Sequence, residues 1–131
     1  MKVFDIIRKQ YVELTPEERV RQYCIKMLVE QFDYPKTSIA VEGSIVVNSM
    51  SRRFDILVYD KNLQPFLLVE CKRPDVELTQ KTIDQIAAYN HIIQAPYLMI
   101  TNGKSTYILN YENRTYSFCE QIPHYDNKAE R

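Results

Sequence analysis

Two apolar runs joined by a short polar link constrain this chain most: RRFDILVYD (residues 52–60) and PFLLVECK (65–72), with KNLQ between them. Four residues are too few for a crossover, so the runs must pair antiparallel, as a hairpin. Their Ile-Leu-Val and Phe-Leu-Leu-Val segments lack the apolar–polar alternation of a strand with one wet face. Strands of that kind sit centrally in a sheet, with a layer packed on each side.

The flanking sequence supplies both the sheet and the layers. LTPEERVRQYCIKMLVEQF starts like a helix, with Thr15 at the N-cap, Pro16 at the first helical position and Glu18 three residues past the cap. Val20, Tyr23, Cys24, Met27 and Leu28 then recur as one buried stripe. SIAVEGSIVVN reads as the strand before the hairpin. After the hairpin, Thr79 caps a second helix, QKTIDQIAAYNHIIQ, with Ile83, Ile86, Ala87 and Ile93 inward and Pro96 ending it. YLMIT, STYILNY and YSFCE follow as strands, separated by NGK and ENRT turns. The early segment VFDIIRKQYV fits either a strand or a short helix. The order predicts a mixed sheet with helices packed on it, one domain over residues 1–120, and a polar tail over 121–131.

Composition excludes several classes. Lys+Arg and Asp+Glu are both 17, which argues against a surface that grips phosphates all over. It leaves room for an acidic pocket that holds cations. Cys24, Cys71 and Cys119 are odd in number and far apart, with no CxxC and no Cys/His cluster for zinc. They read as reduced, mostly buried thiols of a cytoplasmic protein. MKVFDIIRKQY carries charges within its short apolar stretch, unlike a signal peptide. No apolar run approaches the roughly 20 residues of a membrane span.

Chemistry gathers at the end of the second run. Glu70 and Lys72 are two apart on a strand and share a face, while Cys71 points to the other. Pairing hairpin residues whose numbers sum to about 125 places Asp55 opposite Glu70. Two carboxylates and a lysine at one strand end suit a hard divalent cation such as Mg²⁺, which takes oxygen ligands and keeps several waters. They suit phosphodiester hydrolysis, with the lysine orienting a water or meeting developing negative charge. Gln85 and Tyr89 are i, i+4 on the following helix and share a face that can point at the same place. Plain structural roles compete at each position. Glu70 and Lys72 also read as a solvated strand end, Asp55 as a partner of Arg52 or Arg53, and Glu18 as the second half of a capping box. Gln85 and Tyr89 also read as a surface amide and a half-buried ring.

RRFDILVYDKNLQPFLLVECKRP followed by QIAAYN resembles the PD-(D/E)xK nuclease superfamily. More closely it resembles the N-terminal nuclease domain of type I restriction enzyme R subunits, with LTPEERVRQ and PYLMITNG similar to its flanking signatures. The resemblance spans about residues 5–118. It implies an α/β (α+β) fold with a restriction-endonuclease-like αβββαβ core, a mixed central sheet flanked by helices. It implies Asp55 and Glu70 as metal ligands, Lys72 as the catalytic lysine, and Gln85 and Tyr89 as a motif that positions the site or contacts DNA. Glu18 matches an acidic position that some members place by the metal. The implied cofactor is Mg²⁺ or Mn²⁺. The implied partners are DNA and a separate motor or specificity subunit. The implied activity is DNA endonuclease, and the alternative is a silent nuclease-fold module that binds DNA or protein.

Overall fold

The computed structural model describes residues 1–125. β1 (Lys2–Asp5) and β2 (Gln10–Glu13) form a separate two-stranded antiparallel ribbon. The segment left open between strand and helix is therefore a hairpin. Asp5 turns it, its carboxylate accepting the Ile7 and Arg8 backbone N–H groups at 2.8 and 2.7 Å. This is the local side-chain capture that favours turns over helix.

α1 (Pro16–Lys26) starts as its punctuation predicts, with Thr15 Oγ1 accepting from the Glu18 N–H at 3.1 Å. A π-helical turn, Met27–Gln31, extends it. Its buried stripe differs from the expected one. Arg21 and Ile25 are inside, whereas Tyr23 is 63% exposed. The stripe is rotated because carboxylates from three elements surround Arg21, so its charge is met indoors.

The main sheet has six strands in chain order: β3 (Ile39–Val47), β4 (Met50–Tyr59), β5 (Pro65–Cys71), β6 (Tyr97–Thr101), β7 (Thr106–Glu112) and β8 (Thr115–Cys119). Only β5 and β6 are parallel, because α2 (Gln80–Ile93) carries the chain across between them. Asn48 and Ser49, and again Asn113 and Arg114, have positive φ at the two-residue hairpins β3–β4 and β7–β8. Turns of that hand match the twist of the paired strands.

Both faces of the sheet are covered, as the continuous apolar runs require. Ile56, Val58, Val69 and Cys71 pack with Val20, Cys24, Ile25 and Leu28 of the α1 layer. Leu57, Leu68, Leu98 and Ile100 pack with Ile83, Ile86 and Ile93 of α2. The end of α2 is fixed by buried Asn90, whose side chain exchanges two hydrogen bonds with the Ala95 backbone, at 3.0 and 3.1 Å.

The segment read as a tail begins docked. Ile122 and Tyr125 pack on the α1-side core. Tyr34 donates to the Pro123 carbonyl and Tyr125 to the Tyr59 carbonyl, at 2.5 and 2.9 Å. The rest of that expected tail, 126–131, lies outside the described residues. Among the described residues no helix is long and apolar enough to cross a membrane.

Candidate active site

The β4–β5 hairpin brings two carboxylates together. Ile56 faces Val69, Leu57 faces Leu68 and Val58 faces Leu67, each pair summing to 125. One step further along the same ladder, Asp55 meets Glu70. Asp55 is held from two sides: its Oδ2 accepts the Cys71 N–H at 2.8 Å, and its Oδ1 accepts Arg21 Nη2 at 3.2 Å. β5 is held in turn by β6, and the Lys72 N–H extends that pairing by donating to the Thr101 carbonyl at 2.9 Å.

Glu70 shows what this proximity costs. Burial first, then the charge of Asp55 and a hydrogen bond with it, push the Glu70 carboxyl up to about 8. Lys72 opposes the rise and Glu17 adds to it. Two carboxylates this close share a proton rather than both ionise. In the folded chain Glu70 keeps a proton that an unfolded chain releases near 4.5. Its contribution to stability is therefore complete below about pH 4.5 and is lost as pH rises through about 8. In EDTA, urea denaturation of the wild type should show a loss on the order of 2 kcal/mol between pH 5.5 and 8.5. Glu70→Gln should lack that loss; equal pH slopes for the two proteins would overturn the assignment.

Tyr89 of α2 faces the same place. Its hydroxyl is buried without a partner, and burial followed by the Glu70 charge raises its pKa. Arg52 is close enough to oppose that rise. Gln85, one turn earlier, is exposed.

Glu18 is not brought to this pair as a free ligand. Its carboxylate accepts from Arg21 at 2.5 Å, from Arg8 at 2.6 Å and from Gln22 at 2.9 Å. Only half of the expected capping box exists, because the Glu18 side chain turns to these donors. Sequence reasoning missed Arg21 and Arg8. Glu17–Arg21 and Glu18–Arg21 have the i, i+4 and i, i+3 spacings of ordinary surface pairs. Nothing in the sequence marks this arginine as buried. Beside it opens a cleft of about 750 Å³, walled by Arg8, Glu17, Glu18, Arg21, Glu42 and Arg73. Asp55 and Glu70 do not line it; Arg21 links the cleft to Asp55.

The donor set fits a hard divalent ion. Burial first, and the adjacent Asp55 charge second, make Glu70 hold a proton, and a bound cation would offset both. An unpartnered hydroxyl stands beside them. Among the described residues no group of three or more His, Cys, Asp or Glu side chains gathers as ligands. Two carboxylates plus water is a shell that Mg²⁺ accepts.

A helix, a three-strand meander, a crossover helix and a parallel fourth strand define a restriction-endonuclease-like fold. The chain belongs to the family of the type I restriction enzyme R protein N terminus, which it matches over residues 16–123. Among solved structures it is similar to a candidate nuclease of the DUF820 group from Anabaena variabilis. That likeness has a TM-score of 0.57 at 10% identity, covers 99% of this chain and 84% of that one, and shows a shared fold. No curated protein matches the sequence.

Proposed function

We propose that this chain is a divalent-metal-dependent DNA endonuclease domain that hydrolyses phosphodiester bonds. The observation that supports it most is the convergence of Asp55 and Glu70 where the β4–β5 pairing ends, with Lys72 close enough to act on Glu70. Asp55 and Glu70 would hold Mg²⁺ or Mn²⁺. Such an ion supplies Lewis acidity, lowering the pKa of water and offsetting charge on a phosphoryl oxygen. Asp55 is pre-aimed by Arg21 and the Cys71 amide, so it pays little reorganisation when it binds. Lys72 orients the attacking water and meets negative charge as it develops on the phosphate. Tyr89 offers its unsatisfied hydroxyl to the nucleotide or to that water, and Gln85 extends the same helix face toward DNA. Partners of this reading are DNA and a motor or specificity subunit, and the compartment is the cytoplasm.

One observation favours a second reading, a silent nuclease-fold module that needs a partner. Arg21 already sits on Asp55 Oδ1 and offsets part of the charge that would attract an ion. Incubation of the chain with single-stranded, duplex and branched DNA separates the two. Cleavage in Mg²⁺ that EDTA abolishes is expected. Divalent-ion binding by calorimetry with no cleavage of any substrate would move the conclusion to the silent module.

A further inference from the structure

We infer that the site takes one divalent ion per chain, because the Arg21 guanidinium fills the place of a second cation. The inference rests on the metal-dependent reading above.

Four carboxylates converge on Arg21. Its Nη1 donates to Glu18 at 2.5 Å, and its Nη2 lies 2.7 Å from Glu17, 3.2 Å from Asp55 and 3.4 Å from Glu42. The guanidinium bridges α1 to the middle of β4, between the acidic side chain of the first helix and the aspartate of the carboxylate pair. Arg21 is 3% exposed, and a guanidinium cannot shed its charge. A dication entering the same gap would have to displace it or lie against it with little water to screen the repulsion.

The neighbours are arranged around the arginine. Glu42, across the sheet from Asp55, has φ +50, an uncommon backbone for a residue with a side chain. Its carboxylate reaches both Arg21 and Arg8 at 3.4 Å. Glu18 spends both oxygens: one on Arg21, the other on Arg8 and Gln22. Freeing it for a metal would take from two largely buried arginines the shortest carboxylate contact each has. Besides the proton it shares with Glu70, Asp55 accepts one hydrogen bond per oxygen, so each oxygen has a lone pair for an ion that displaces that proton.

Counting ions tests this. Mn²⁺ is titrated into the metal-free full chain, with free Mn²⁺ read by electron paramagnetic resonance and the heat by calorimetry. One ion per wild-type chain is expected. Glu18→Gln, checked for folding by circular dichroism, should still bind one, whereas Glu70→Gln should bind none detectably. Two ions per wild-type chain would overturn the one-ion inference and leave the metal-dependent reading standing. Loss of binding in a folded Glu18→Gln would do the same, by making Glu18 a ligand. No ion on the wild type would overturn both. The wild-type count decides the matter even if Glu18→Gln does not fold.

Discussion

Lys72→Ala is expected to lower Mg²⁺-dependent DNA cleavage about 100- to 1000-fold, the usual cost of removing one group aimed at developing charge. The fold should survive. Lys72 is half-buried, and the hydrogen bond that fixes its position comes from its backbone N–H to Thr101, which alanine retains. The variant should therefore melt within a few degrees of wild type, as surface truncations usually do. A second signature separates loss of chemistry from loss of structure. Lys72 is the cation that restrains the rise of Glu70. Without it Glu70 holds its proton to higher pH, so residual activity should need more alkaline conditions. Lys72→Arg is not expected to restore the rate, because a planar fork does not replace a compact ammonium. Cleavage equal to wild type by a folded Lys72→Ala would mean that Lys72 takes no part in the reaction.

The second large effect concerns stability. Arg21→Met should destabilise the domain by about 3 kcal/mol, the lower end for removing one partner of a buried ion pair. The methionine stem can still pack, so the loss is chiefly the uncompensated charge of Glu18 and Asp55, whose side chains are 7% and 16% exposed. Arg8 still holds Glu18, which keeps the figure from the upper end. Glu17 and Glu42, each 41% exposed, turn to water and add little. Thermal melts should show a drop of roughly 10 °C. A drop under about 2 °C would mean that water reaches Glu18 and Asp55 and that Arg21 is dispensable there.

The hairpin and the meeting of Asp55 with Glu70 were legible because strand pairing is arithmetic. A four-residue link and a period of two leave few registers, and the one that buries ILV against FLLV also sets Asp55 beside Glu70. The helix starts were legible from Thr15 and Thr79, since capping depends on neighbours within one turn. Arg21 was not legible. Its burial depends on Glu42 and Asp55 arriving from two other strands, and a helix read alone has no means of showing that. The same blindness misplaced Tyr23 in the buried stripe. The opening hairpin stayed undecided because the Asp5 turn that makes it rests on a single side chain capturing two amides.

The docking of Tyr125 bears on how this domain is handled. Its ring lies 5.8 Å from Phe66, the second residue of β5, and Tyr97, which starts β6, also packs on Phe66. Glu70 is four residues further along the same strand, a run of about 13 Å. Anything attached beyond Tyr125, whether a surface tether, a dye or a fused domain, therefore sets out from the far end of the sheet. An immobilised form made that way should present Asp55, Glu70 and Lys72 to DNA in solution, whereas a tether joined ahead of β1 would begin beside the ribbon that borders the cleft.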